Sequence, residues 1–255
     1  NLEYLDINFG ELHSIPKSIG NLHKLKILTI SNGRTKLNVP PEIGKLTNLI
    51  ELNIYNYEIE FLPYEIGNLI NLEEIMLCGK LNSLPPTLQN WKKIRKLYLA
   101  GNNLKKIPRY FYLFNNLEYL DLSSSNISFV SDSIALLHNL RDLTLNGNIE
   151  LKILPKSNCE LTMLERLEIE NTMISSLPDC LVLSENLVKI KVCKELFPNQ
   201  ETIDKKINDK IEWSWRCRYL ESKLIDFSEV YGTYQTKLKK EKDTISLFSK
   251  YFFNE

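Results

Sequence analysis

Apolar residues recur along this chain in one pattern, copied end to end. The clearest copy reads Ile94-x-x-Leu97-x-Leu99-x-x-Asn102-x-Leu104-x-x-Ile107-Pro108-x-x-Phe111-x-x-Phe114. The next copy begins at Leu117 and places Leu120, Leu122, Ile127, Val130, Ile134 and Leu137 at the same offsets. The openers are Leu2, Leu25, Leu49, Leu72, Ile94, Leu117, Leu140, Leu164 and Leu187, spaced 22 to 24 residues apart. A period this regular signals stacked structural repeats.

Each copy predicts a strand followed by a tight turn and a short helical segment. The opening Leu-x-x-Leu-x-Leu ends in strict alternation, the period of a strand with one buried face. Leu5 and Ile7, Leu52 and Ile54, and Leu120 and Leu122 are expected to point inward, with Asp6, Asn53 and Asp121 pointing out. A proline column follows: Pro16, Pro40, Pro63, Pro85, Pro108, Pro155, Pro178 and Pro198, with Ser131 in one copy. Proline fixes φ and donates no hydrogen bond, so it turns the chain without extending a ladder. Apolar residues three and six positions later, such as Ile19 and Leu22, suit one turn of helix or 3₁₀-helix. No single copy can bury its own apolar face, so stacking must build a shared core. The strands are expected to form one parallel sheet, roughly 40 Å long for nine strands at ~4.8 Å each. The repeated Leu, Ile and Pro residues are therefore scaffold.

This pattern resembles the leucine-rich repeat family over residues 1–198. The Leu-Pro-x-x-Ile-Gly-x-Leu segment at 62–69, with close copies at 15–22 and 39–46, is similar to the 23-residue intracellular subtype of scribble- and erbin-type scaffolds. The resemblance implies an α/β leucine-rich repeat solenoid, a horseshoe with a parallel concave sheet that binds other proteins. It implies no enzyme and no cofactor. The family's asparagine after the strand is present only as Asn102 and Asn148; Gly10, Gly33, Tyr57, Lys80, Ser125, Thr172 and Glu195 stand at the other copies. Asn158 occupies a position that is apolar elsewhere.

Composition narrows the function classes. The 32 basic and 32 acidic residues leave a net charge of +0, without the basic footprint of nucleic-acid binding. No apolar run reaches the ~18 residues of a membrane span, and no secretory signal is visible. The chain opens in mid-pattern at Leu2, so further repeats or another domain of the same polypeptide are expected before it. Cys78, Cys159, Cys180, Cys193 and Cys217 are odd in number and show no Cys-x-x-Cys spacing, which predicts free thiols and a cytoplasmic setting. A cell-surface or secreted location is the alternative, and Asn126-Ile127-Ser128 is a lone glycosylation sequon. His13, His23 and His138 show no metal-ligand spacing, and no glycine-rich phosphate loop or catalytic cluster is present.

What the repeat leaves undetermined is the outward strand face. Counting from each opener as zero, positions 2, 4 and 6 are expected on the concave side. Tyr55, Met76, Tyr98 and Tyr119 fall there in four successive copies, flanked by Glu51, Glu74, Lys96, Asp121 and Asp142. Exposed aromatics inside a polar rim suit a binding hot spot for a protein or peptide; a half-exposed strand also accommodates tyrosine without any partner. Glu168 and Glu170 precede Lys189 and Lys191, which predicts cross-strand salt bridges.

After Pro198 the pattern changes, which divides the chain into a 1–198 solenoid and a 199–255 helical cap and tail. Ile203, Ile207, Ile211 and Trp215, then Leu220, Leu224 and Phe227, predict an amphipathic helix over 201–227 that covers the open end of the array. A final helix carrying Ile245, Leu247, Phe248, Tyr251 and Phe252 folds back or meets a membrane or partner. The reading is a non-enzymatic interaction module. The alternatives are a recognition arm of a larger signalling protein (a GTPase, kinase or immune receptor) and a bacterial or viral surface adhesin.

Overall fold

The computed structural model describes residues 1–193, apart from Phe9, Arg34, Asp179, Val182 and Leu183, and the backbone of residues 211–214. All of these lie in the compact unit Asn1–Tyr219; the second unit, Leu220–Glu255, lies outside the described residues, and so does the expected final helix.

Ten strands form one parallel sheet in chain order: β1 (Tyr4–Asn8), β2 (Ile27–Ser31), β3 (Glu51–Ile54), β4 (Glu74–Leu77), β5 (Lys96–Tyr98), β6 (Tyr119–Asp121), β7 (Asp142–Thr144), β8 (Arg166–Glu168), β9 (Lys189–Cys193) and β10 (Ile211–Ser214). Equal positions pair across every junction of the first nine strands, as Leu28↔Leu52, Leu97↔Leu120 and Leu167↔Ile190 do. Constant spacing is the cause: each copy returns the chain one strand width along the array. The inward positions Leu28, Leu52, Ile75, Leu120 and Ile190 are fully buried, and the apolar core runs unbroken through the stack. In the first copy Leu2, Ile7, Leu12 and Leu22 are only partly buried, since they have a neighbouring copy on one side.

β10 corrects the expectation for the cap. Residues 211–214 are extended and pair in parallel with β9, so no continuous helix runs through 201–227. Ile-Glu-Trp-Ser alternates apolar and polar residues, the period of a strand, and the register sets Ile211 beside Ile190 and Trp213 beside Val192. The open backbone edge of β9 offers hydrogen-bond partners that a helix cannot use. The rest of the expected cap lies outside the described residues.

Opposite the strands, seven five-residue 3₁₀ segments among the described residues carry the chain back: Lys17–Asn21, Pro41–Lys45, Tyr64–Asn68, Pro86–Asn90, Arg109–Leu113, Asp132–Leu136 and Lys156–Glu160. Six are preceded by a column proline with extended ψ. In the seventh, Ser131 does the same by another route: its hydroxyl accepts the Ser133 N–H at 3.2 Å. The glycine of the Ile-Gly pair is steric. A Cβ on Gly67 would lie 2.5 Å from the Thr87 carbonyl oxygen, so only glycine lets these turns stack at this spacing.

Three polar columns join the copies. At position 8, buried Asn102 donates to the Leu77 and Leu99 carbonyls and accepts from Leu81 N–H. Asn148 donates to Leu122 and Leu145 and accepts from Ser125 and Ile127 N–H. Where asparagine is missing, smaller groups substitute: the Ser125 hydroxyl donates to Leu99 O at 2.9 Å and the Thr172 hydroxyl to Ile169 O at 2.8 Å. In the second and third copies the substitute is aromatic. The Tyr57 ring fills the space that a side chain at Gly33 would need, and burial raises its pKa while its hydroxyl meets the Leu12 backbone.

A second asparagine column stands one residue before the openers. Asn48, Asn71, Asn116, Asn139 and Asn186 each donate to a backbone carbonyl of the preceding copy, at 2.6–2.8 Å. One residue after the openers, charges alternate in sign: Glu3, Lys26, Ile50, Glu73, Arg95, Glu118, Arg141, Glu165, Val188. Glu3 pairs with Lys26 at 2.7 Å, Arg95 with Glu118 at 2.9 Å, and Arg141 with Glu165. These pairs are largely exposed and each contributes little alone.

Position 7 takes a left-handed backbone in six described copies, and Gly79 of the fourth copy does not. Asn32, Asn56, Gly101, Ser124, Gly147 and Asn171 all have φ between 51° and 73°. The sequence meets this with glycine or asparagine at all but Ser124.

Candidate functional site

The alternation within each strand divides the array into a core side, positions 3 and 5, and a concave side, positions 2, 4 and 6. All nine residues expected at the site lie on the concave side. Glu51 and Glu74 face each other across β3 and β4, Glu74 and Lys96 across β4 and β5, and Tyr119 lies between Lys96 and Asp142. The Tyr98 and Tyr119 rings are in contact, with centroids 4.5 Å apart and planes tilted 40°. Tyr55 is half-buried on the far side of Met76.

The exposed patch expected from the sequence takes a different form. Met76 is 3% exposed and Tyr98 7% exposed, so neither presents a free side chain. Position 4 is the central column of the face. There Asn53, Met76, Tyr98, Asp121 and Thr144, in the third to seventh copies, are all buried, while Asp6 is exposed and Thr29, Glu168 and Lys191 are half-buried at the same position. Over these five copies the column is a floor. The accessible row is position 2, where Glu51, Glu74, Lys96, Tyr119 and Asp142 are half-buried. Single-sequence alternation separates core from concave side but does not report shielding between columns of one side.

Ion pairs arrange the accessible row. Lys96 binds Glu74 at 2.9 Å and Arg166 reaches Asp142 at 3.6 Å. The expected cross-strand pairing further along is present as Lys191–Glu168 at 2.8 Å.

Asp121 is a carboxylate set into the floor. It accepts from the Ser123 N–H at 2.8 Å and the Ser123 hydroxyl at 2.6 Å. Burial pushes its pKa above the ordinary value of 3.8, more than these bonds lower it, and Glu168 adds to the rise. Burial, Asp121 and Tyr98 raise the Tyr119 phenol. A carboxyl whose folded pKa is raised holds its proton more tightly in the folded chain, so its favourable contribution is complete below the unfolded pKa. That contribution is lost as pH climbs through the folded pKa. Asp121→Asn, which keeps an acceptor for Ser123, should therefore raise the melting temperature at neutral pH, and the gain should shrink as the pH falls toward 4 (about the unfolded value). A variant that melts lower than the parent at neutral pH would contradict this.

Cysteine use departs from the sequence expectation. Cys159 and Cys180 form a disulfide, with Cα atoms 5.5 Å apart, where free thiols were expected. Their separation of 21 residues is close to one repeat length, so stacking sets the two side by side. Cys78 is buried and takes no part in that disulfide. Outside the concave face, Phe61, Phe129 and Ile153 are 73%, 64% and 74% exposed. Phe61 and Ile153 stand two residues before column prolines and Phe129 two before Ser131, a regularity readable in the sequence but not singled out there. Among the described residues no group of His, Cys, Asp and Glu could hold a metal, and no helix is long and apolar enough to cross a membrane.

Comparison with known proteins agrees with the geometry. The family described as leucine-rich repeat region matches residues 1–106, and the family described as leucine rich repeat matches residues 92–149. A putative disease resistance protein of Arabidopsis thaliana is 29% identical over 150 residues, 58% of this chain and 12% of that protein. An adenylate cyclase of Podospora anserina is 31% identical over 180 residues, 69% of this chain and 8% of that one. The structure of a leucine-rich repeat protein of Leptospira interrogans superposes with a TM-score of 0.65 at 27% identity, covering 83% of this chain and 65% of that chain. The ectodomain of a plant membrane receptor kinase of Arabidopsis thaliana, solved in complex with a Casparian strip integrity factor, shares the fold at 23% identity and a TM-score of 0.55, over 81% of this chain and 29% of its own. The chain is a leucine-rich repeat protein, and its fold is of a class typically used for protein–protein interaction. It spans only 5% to 12% of the first three curated relatives.

Proposed function

We propose that this array binds a protein or peptide on the concave face, with Tyr119 at the centre of the contact. The supporting observation is the Tyr98–Tyr119 stack, which fixes a large amphipathic side chain on a rigid floor among charged neighbours. Aromatic anchors held in place lose little entropy on binding. The small share of each relative that the chain covers supports the further reading that it is the recognition arm of a larger signalling or receptor protein.

The test contrasts two faces. Affinity capture with the Tyr55→Ala/Tyr119→Ala double variant should lose the partners that the parent retains, while Phe129→Ser, on the flank, should retain them. The reverse pattern would move binding to the flank and end the concave reading. Two features bear on compartment in opposite directions. The 62–69 segment supports the intracellular subtype, and the Cys159–Cys180 disulfide supports an oxidising, surface or secreted setting. Thiol counting on the unreduced chain from its natural source decides between them.

A further inference from the structure

The rim where the chain enters the strands carries a groove of about 470 Å³, bordered by two columns of the repeat. Lys24, Asn48, Asn71 and Lys93 stand one residue before the openers of the second to fifth copies. Glu3, Lys26, Ile50 and Glu73 stand one residue after the openers of the first to fourth. Two local causes open the groove. In the first column, the Asn48 and Asn71 amides donate to the His23 and Thr47 carbonyls at 2.7 and 2.8 Å, so these side chains lie low between two exposed lysines. In the second, Ile50 interrupts the run of alternating charges. Its backbone bonds to Lys26 on one side and Glu73 on the other, and its short branched side chain, 38% exposed, lies between those two longer ones.

The charges along the groove do not cancel, since three ammonium groups meet two carboxylates. At one end Glu3 pairs with Lys26 at 2.7 Å and interacts with Lys24 as well, so one carboxylate serves two lysines. The hydrogen bond of Lys24 itself goes to a neutral acceptor, Asn1 Oδ1 at 3.1 Å. At the other end Lys93 donates to Asn71 Oδ1 at 2.8 Å, again a neutral group. Glu73 makes no ion pair among the described residues. Its neighbour Arg95 is held by Glu118 through hydrogen bonds of 2.9 and 3.1 Å and acts on Glu73 only from further off. The groove thus offers an excess cation at one end and an apolar floor beside it. At the other end a donor and an acceptor stand in facing columns.

We propose that this groove holds an extended segment of a partner protein in which an acidic residue stands within two positions of an apolar one. The acidic side chain meets Lys24 through a charge-assisted hydrogen bond, and the apolar one covers Ile50. Main-chain N–H and C=O groups of the segment meet Glu73 and Lys93. The groove runs from the second copy to the fifth, three strand widths or ~14 Å, which about four extended residues span. Its excess positive charge selects an acidic segment over a basic one. This contact goes beyond the concave-face reading and does not depend on it.

The experiment selects a displayed library of random peptides on the full chain and sorts the winners on Ile50→Glu, which removes the apolar floor and sets a carboxylate beside Lys26. The expected result is a set of peptides bound by the parent and lost by the variant, sharing an acidic residue within two positions of an apolar one. Fluorescence anisotropy on this set should show affinity weaker by at least about tenfold for Ile50→Glu and by about threefold for Lys24→Gln. Binding should weaken with added salt and stay unchanged for Arg141→Gln, in the same charge column but outside the groove. Circular dichroism on each variant separates lost binding from lost folding. The absence of such a set, a set without the acidic residue, or a set indifferent to Lys24→Gln overturns the proposal. If every winner survives Ile50→Glu and is lost from Tyr55→Ala/Tyr119→Ala, the concave reading stands and the rim groove falls.

Discussion

Asn148→Ala is expected to lower the stability of the array by about 4 kcal/mol, from roughly 1 kcal/mol for each of four buried hydrogen bonds. Asn148 is fully buried and is bonded on both sides of a copy junction: it accepts from Ser125 and Ile127 N–H at 3.1 and 2.8 Å and donates to Leu122 and Leu145 carbonyls at 2.9 and 2.7 Å. Alanine leaves two backbone donors and two carbonyls without that partner in a dry corner. Neighbouring copies couple mainly through their shared junction, so the loss should be local to the sixth and seventh copies at first. Urea unfolding with hydrogen exchange at Ser125 and Ile127 checks it. A loss below about 1 kcal/mol would show that the corner recruits water and does not depend on the side chain.

Asn158→Leu should act in the opposite direction, stabilising by about 2 kcal/mol. The residue occupies the buried site of the 3₁₀ segment Lys156–Glu160, where the earlier copies have Ile19, Ile43, Ile66, Leu88, Phe111 and Ile134. It is fully buried, and neither Nδ2 nor Oδ1 has a hydrogen-bond partner among the described residues. Leucine removes two desolvated polar atoms and adds apolar contact at similar volume. The backbone bonds on either side, Asn158 N–H to Pro155 O and Leu161 N–H to Asn158 O, do not involve the side chain. A higher melting temperature is the expected reading. A lower one would mean that the amide serves a contact, and the same change at Phe111 gives the scale for a purely apolar cost.

The two variants mark how far the sequence could be read. The strand register, the proline turns and the inward residues follow from periodicity alone, because each is a repeated local rule. Asn158 stood out by the same logic, as a polar residue in an apolar column. The position-8 corner was legible only in part. Asn102 and Asn148 fit the expected role, but that Ser125, Thr172 and the Tyr57 ring take over elsewhere depends on contacts between copies. The asparagine column before the openers and the left-handed column at position 7 were present in the sequence as well, once columns other than the apolar ones are compared.

The candidate site was less legible for a physical reason. Its residues were assigned to the right side of the sheet, but exposure depends on the neighbours two columns away, so Met76 and Tyr98 became floor and Tyr119 remained available. β10 was missed because four-residue spacing can be found in a segment whose local alternation also suits a strand, and the open edge of β9 decided between them.

The charge column after the openers has a consequence for how such an array can change length. Glu73, Arg95, Glu118, Arg141 and Glu165 alternate in sign from copy to copy. Removing or duplicating one copy inside this stretch sets like charges side by side, while removing or duplicating two restores the alternation. The ladder therefore carries a parity, and insertions in pairs leave it intact where single ones do not.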